Sequence, residues 1–174
     1  MENIVIKKVE LKNINELQLI GIQTFHETFS AENLEDDMRK YLNESFSLDK
    51  LTQELTDNNT EFYFGIYNRE IIGYLKINFG ESQTEIKDNK SLEIERIYVT
   101  KEFYGKKIGQ LLYEKAIQRA EKMNATYIWL GVWEKNLRAL SFYRKNGFVA
   151  FDKHIFKLGN DIQTDILMKI QLKN

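Results

Sequence analysis

The chain contains neither cysteine nor proline. Without cysteine there can be no disulfide framework, no thiolate nucleophile and no Cys-based zinc site. Without proline no turn depends on a cis X–Pro bond. Histidine is scarce too: His26 and His154 stand far apart, so each is read as structural and no metal site is assigned. Neither sign of charge is in excess. The 25 Lys and Arg against 26 Asp and Glu leave a net charge of −1, which gives no reason to require nucleic acid or an anionic membrane as partner. No apolar run approaches membrane-spanning length, and Met1-Glu2-Asn3-Ile4 lacks a signal-peptide pattern. A cytoplasmic location is the resulting expectation. The 174 residues, 43% of them hydrophobic, suit a single domain over residues 1–174 with its own core.

Hydrophobic periodicity predicts the elements. Ile4 to Val9 reads as a strand. Asn13 to Phe29 reads as a helix, capped by Asn13 with Glu16 three residues on. Leu34 to Leu42 is a shorter helix, and Ser47 caps a third. Residues 61–67 and 70–79 form a hairpin around Asn68-Arg69. Gly80 to Ser91 is polar and reads as a loop. Then come strand Leu92–Val99, helix Gly109–Met123, strand Ala125–Trp133 and helix Leu137–Asn146. Strands Phe148–Lys157 and Asp161–Leu172 close the chain around Leu158-Gly159-Asn160. The order β, helices, βββ, α, β, α, ββ implies an α/β (α+β) mixed sheet with helices on both faces.

Two segments carry chemistry. In Ile97-Tyr98-Val99 through Gly109-Gln110, a strand ends, a glycine-containing loop follows and a helix begins. Free N–H groups at a helix start attract anions, so a phosphorylated ligand fits, although plain connectivity has the same pattern. The second segment lies about 30 residues on, the separation of one strand–helix–strand unit. Asn136 caps its helix and Gly147 ends it. Capping does not explain Tyr143, which shares a stripe with Ala139, Leu140 and Phe142 yet carries a hydroxyl needing a partner.

These segments resemble the GCN5-related N-acetyltransferase (GNAT) superfamily. The first is similar to its acetyl-CoA pyrophosphate loop, Gln/Arg-x-x-Gly-x-Gly/Ala; the second to its Asn-x-x-Ala-x-x-Phe-Tyr-x-x-x-Gly-Phe motif. Two positions depart: Tyr104 replaces Gln/Arg, and Lys107 replaces the first glycine. With an ordinary backbone, Lys107 would still offer its N–H, while its side chain could crowd or pair with the pyrophosphate. Glu27-Thr28-Phe29, Gly73-Tyr74-Leu75-Lys76, Ile94 to Val99, Trp129 to Asn136 and the tail around His154, Phe156, Gly159 and Asp165 resemble the bacterial spermidine/spermine N-acetyltransferases. The resemblance implies a strongly twisted, mostly antiparallel sheet, acetyl-CoA as cosubstrate and direct transfer to an amine.

It also implies roles. Backbone groups of Ile97, Tyr98 and Val99 would meet the pantetheine arm. The N–H groups from Gly105 through Lys106, Lys107, Ile108 and Gly109 to Gln110, beside Tyr104, would hold the pyrophosphate. Lys106, Lys107 and Lys145 are the nearby cations, each equally readable as solvated surface. Asn136 would bond pantetheine or only cap its helix. Tyr143 would protonate the leaving sulfur. Glu93 matches a catalytic glutamate of some members; strict alternation puts Glu93 and Glu95 with Ile97 and Val99 and opposite Arg96 and Tyr98. Either acid is equally readable as a cross-strand charge partner. A base matters because an alkylammonium of pKa about 10.4 is roughly 4–5 kcal/mol from its nucleophilic free amine at neutral pH. Glu27 and Tyr41, in the early helical region with Glu32 and the run Glu35-Asp36-Asp37, would border the acceptor; the run alone reads as a solvated face. Trp129 is expected in the core and Trp133 at its rim. A small-molecule amine is the expected partner, and pairing into a homodimer through the C-terminal strands is possible. Two alternatives stay open: acetylation of a protein or peptide amine, and a non-catalytic acyl-CoA-binding regulator.

Overall fold

A computed structural model describes residues 4–158 and 161–172. Seven strands make one sheet: β1 (Ile4–Lys8), β2 (Thr60–Tyr67), β3 (Glu70–Phe79), β4 (Ser91–Val99), β5 (Tyr127–Trp133), β6 (Val149–Leu158) and β7 (Asp161–Gln171). Their spatial order is β1-β2-β3-β4-β5-β7-β6. Every pairing is antiparallel except β4 with β5. The helices are α1 (Ile14–Phe29), α2 (Glu35–Ser45), α3 (Leu48–Thr56), α4 (Ile108–Lys122) and α5 (Leu137–Lys145).

Helical spacing decides which side chains meet the sheet. On α1, Leu17, Ile20, Gly21, Thr24, Phe25 and Phe29 are buried, the i, i+3, i+4 stripe of a helix with one apolar face. Leu17, Ile20, Phe25 and Phe29 join Phe46, Leu51, Phe62, Phe64 and Tyr74 in a core on one side of the sheet. On the other side Ile108, Leu112, Ala116 and Ala120 of α4, with Leu140 and Tyr143 of α5, pack on Leu75, Ile77, Leu92 and Ile94. The mixed sheet with helices on both faces is therefore as the element order implied.

Local signals match their elements closely. Ser47 accepts the Lys50 N–H at 3.2 Å and caps α3. Asn68 and Arg69 both have positive φ, 48° and 71°, the conformation of a two-residue hairpin turn matched to strand twist. Asn13 differs from expectation. It ends a 3₁₀ turn (Leu11–Asn13) and accepts the Glu10 N–H instead of capping α1. Helix α2 runs three residues past the expected Leu42, to Ser45. The expected turn at Leu158-Gly159-Asn160 includes residues outside those described.

Two features of β4 shape the site. It pairs with β5 only at Ser91↔Tyr127, Leu92↔Ile128 and Glu93↔Trp129, then parts from it. Beyond Glu93 its backbone edge on that side is left open. Its pairing with β3 also slips between Lys76 and Ile77, which oppose Arg96 and Ile94, so Glu95 is the extra residue of a bulge. A bulge shifts the side-chain alternation by one. Leu92, Ile94, Ile97 and Val99 all belong to the α4 side. Glu93, Glu95, Arg96 and Tyr98 together line a cavity on the opposite side. Strict alternation is thus corrected: the two glutamates share a face with Arg96 and Tyr98.

Candidate active site

The parting of β4 and β5 leaves two cavities that meet. The larger, about 700 Å³, runs between the β4–α4 loop and α5, and is lined by Ile97, Tyr98, Val99, Tyr104, Gly105, Lys107, Ile108, Gly109, Gln110, Asn136, Tyr143 and Lys145. Nearly every residue expected to hold the cofactor is here. Lys106 is not: it is exposed, and its ammonium sits 4.5 Å from the Phe103 ring centroid. A Cβ added at Gly105 or Gly109 would meet nothing within 4 Å, so the loop's backbone faces open space. The start of α4 fits an anionic diphosphate on that ground, since its first N–H groups have no intrahelical acceptor.

Lys107 stands at the N-cap of α4 with φ 64°, in the left-handed region. This corrects the expectation of an ordinary backbone there. That conformation is one a glycine adopts without strain and a lysine does not.

Sequence reasoning missed Arg138. Its guanidinium lies 3.3 Å from the Tyr104 ring centroid, and both residues line the groove. Helix α5 therefore brings a cation to the place where Tyr104 departs from the Gln/Arg of the motif. The signal available was one basic residue in the first turn of α5, two positions after its cap.

The second cavity, about 240 Å³, opens on the other side of Tyr143. Aromatic residues Phe25, Phe29, Tyr41, Tyr98 and Trp133 form one part of its wall, and Glu85, Glu93, Glu95 and Asp165 another. Tyr41 stacks on Phe25 with centroids 4.5 Å apart. Trp133 is buried against Phe29, not at the rim as expected, whereas Trp129 is core as expected. Glu27 lies outside both linings. Its carboxylate accepts the Lys101 N–H at 2.7 Å and the Gln23 amide at 2.9 Å, tying α1 to the loop after β4. Of the acidic run, Glu35 and Asp36 are exposed and Asp37 is buried.

The carboxylates differ sharply in environment. Burial pulls Glu95 up, but Lys76 at 2.6 Å and Arg96 at 3.4 Å outweigh it and hold the group at about 2. Glu93 is pushed up by burial and by the neighbouring Glu95. It accepts from the Thr84 N–H, the Thr84 hydroxyl and the Asn78 amide. Asp165 is raised by burial to about 6, with His154 pulling it down and Glu85 pushing it up.

The stretch expected to be a polar loop supplies this wall. Gln83 is fully buried and accepts from the Trp129 indole at 2.7 Å. That anchor presents Thr84 to Glu93 and Glu85 to His154, whose Nε2 is 3.0 Å from the carboxylate. Glu85, His154 and Asp165 were not anticipated as site residues, because the β3–β4 connection must meet the distant β6–β7 hairpin to form the wall.

Tyr143 lines both cavities, as do Ile97, Tyr98, Asn136 and Ala139. Its ring packs against Phe142 and Phe148. Its hydroxyl has no hydrogen-bond partner among the described residues, and burial raises its pKa. Asn136 accepts the Ala139 N–H at 3.1 Å and so caps α5.

A parted parallel strand pair, a helix start whose loop faces open space and a second cavity meeting the groove at an unpartnered phenol fit an acyltransferase that takes its acyl group from a coenzyme A thioester. The chain belongs to the acetyltransferase (GNAT) family, whose model matches residues 22–148. It is 38% identical over 169 residues to an uncharacterized N-acetyltransferase of Lactobacillus delbrueckii subsp. lactis, covering 97% of this chain and 98% of that one. It is 26% identical to a spermidine N(1)-acetyltransferase of Thermoplasma acidophilum, covering 86% and 91%. The fold is similar to that of the PaiA N-acetyltransferase of Thermoplasma acidophilum in complex with coenzyme A, at TM-score 0.81 and 22% identity, covering 98% and 99%. The protein is an N-acetyltransferase that uses acetyl-CoA.

Proposed function

We propose that this N-acetyltransferase acetylates a primary amine of a polyamine of the spermidine type, with both substrates bound together. The observation that carries the substrate class is the second cavity's wall, where the Asp165 carboxylate, bonded by no described donor, stands with that of Glu85 among aromatic side chains. Carboxylates and aromatic faces are what an elongated polycation needs along its length. The Thermoplasma relative named as a spermidine N(1)-acetyltransferase supports the same reading.

Acetyl-CoA supplies the thioester whose acyl group is transferred. The N–H groups of Gly105 and of Lys107 to Gln110 hold its diphosphate, helped by Arg138, Lys107 and Lys145. The open edge of β4 at Ile97 to Val99 binds the extended pantetheine arm as a neighbouring strand would. Tyr143 holds the proton that the departing sulfur takes. Its raised pKa keeps the phenol protonated until a thiolate develops beside it. Glu95 is held too low to serve as a proton acceptor and instead fixes Lys76 and Arg96 in place.

The test is thiol release from acetyl-CoA with spermidine, spermine, a lysine peptide and no acceptor. Turnover confined to the polyamines is the expected result; turnover confined to the peptide would replace polyamine by protein amine. In the same assay Tyr143→Phe is expected to lower kcat by about 10²–10⁴-fold with coenzyme A affinity retained. Unchanged kcat would remove Tyr143 from proton transfer.

A further inference from the structure

We infer that Asp165 on β7, not a glutamate of β4, accepts the proton of the incoming ammonium. The inference rests on the acetyl transfer to an amine described above, and does not depend on the amine being a polyamine.

Glu93↔Trp129 is the last pair between β4 and β5, so Gly131, two residues further on, lies past the parting point. Gly131 is exposed to the cavity, and a Cβ built there would come within 3.5 Å of Asp165 Oδ2. The missing side chain leaves the Asp165 carboxylate bare on the cavity wall. Asp165 pairs with Trp133 across β5 and with His154 across β6. It shares its cavity with Tyr143, on the side of Tyr143 away from the cofactor groove. No described donor bonds its carboxylate.

The other carboxylates in this cavity are occupied. Glu93 receives three donors, from Thr84 and Asn78. Glu95 is paired with Lys76 and Arg96 and bonded by Asn78. Glu85 is paired with His154. The charged groups near Asp165 are therefore His154 on β6 and Glu85 on the β3–β4 connection, with Glu93, Glu95 and Arg96 of β4 across the same cavity.

Magnitudes separate the two extremes. An alkylammonium titrates near 10.4. Moving its proton to a group at about 2, as Glu95 is, is uphill by roughly 8 pH units. Moving it to a group at about 6, as Asp165 is, is uphill by roughly 4. In the step, an N–H bond of the ammonium breaks and its electron pair stays on nitrogen as the nucleophilic lone pair. The proton goes to Asp165, directly or across one water, and then to solvent.

The experiment compares Asp165→Asn, Asp165→Glu and Glu93→Gln. Each is followed by kcat and KM against pH, by coenzyme A affinity from calorimetry, and by the ¹³C carboxyl titration of the side chain at 165. The parent is expected to lose kcat/KM on acidification with a midpoint near 6, matching the carboxyl titration in the ligand-free protein. Asp165→Asn should abolish that acid limb and lower kcat about 10²–10³-fold, with coenzyme A affinity unchanged. Asp165→Glu should restore part of kcat and the limb. Glu93→Gln should keep the limb. An acid limb that survives in Asp165→Asn overturns the proposal, and so does a rise in KM alone, which would make Asp165 an anchor for positive charge. The profile is read with whichever amine is acetylated, so failure of the polyamine reading is seen separately, in the acceptor panel.

Discussion

At the scale of single residues, the site is built from side chains whose environments oppose their ordinary preferences. Lys107 holds a left-handed backbone that costs a non-glycine residue on the order of 1 kcal/mol. Lys107→Gly is therefore expected to raise stability by roughly 0.5–1 kcal/mol, read as a higher thermal midpoint; a lowered midpoint would show that the lysine side chain contributes more than its backbone costs. Asp165 works in the same sense. Its carboxyl is raised from 3.8 to about 6, so the folded state binds the proton more tightly than the unfolded one. The associated stability is present below pH 3.8 and is lost as pH rises through about 6. Asp165→Asn should then be more stable than the parent by on the order of 1–3 kcal/mol near pH 8, and equal to it near pH 4. Equal midpoints at both values would contradict the burial cost. The sequence motifs marked Tyr143 and Asn136, because their neighbours within one helix carry the pattern. Nothing local marks Asp165 or Arg138, whose roles arise from residues more than 30 positions away.

At the scale of elements, the end of β4 depends on a close approach to β3. A Cβ at Gly73 would come within 2.5 Å of the Tyr98 carbonyl oxygen and 3.1 Å of the Val99 Cα. Backbone cannot step aside as a flexible side chain does, so Gly73→Ala must displace Tyr98 and Val99. Overpacking of this kind costs roughly 1–3 kcal/mol. Because the same residues line the groove proposed for coenzyme A, its affinity should fall together with stability. A stable variant with parental affinity would show that this stretch of β4 does not touch the cofactor. The hairpins, the caps at Ser47 and Asn136 and the crossover α4 were legible from residue spacing, since each is specified by neighbours in the chain. The bulge at Glu95 was not. It depends on the register of β3 against β4, and one extra residue moved both glutamates onto the face of Arg96 and Tyr98.

At the scale of the whole molecule, buried ion pairs join the layers. Glu61 of β2 is bonded by Arg119 of α4, Lys8 of β1 and Tyr63; burial raises its carboxyl, yet these partners hold it at about 2. Glu95 is likewise held at about 2 by Lys76 and Arg96 against the pull of burial. For both, the unfolded value is near 4.5. Their contribution is complete above that pH and is lost as pH falls toward 2; for Glu61, whose partner Lys8 is exposed and screened by solvent, it is on the order of 1 kcal/mol. Urea unfolding should therefore show stability falling steeply between about pH 4.5 and 2.5, with a shallower acid limb in Glu61→Gln. A parent whose urea midpoint does not change over that range would remove these pairs as stabilising features. No helix among the described residues is long and apolar enough to cross a membrane.

The order of elements, the caps at Ser47 and Asn136, the glycine-containing loop before α4 and the helical stripe that carries Tyr143 were set by the chain alone, because each depends on residues within a few positions or on one repeating period. The tertiary structure decided the rest: which carboxylates are bare and which are paired, which cation replaces the one missing at Tyr104, and where the second cavity opens. Those outcomes follow from strand register and from the parting of β4 and β5, which bring distant segments within hydrogen-bonding range only after the sheet has formed.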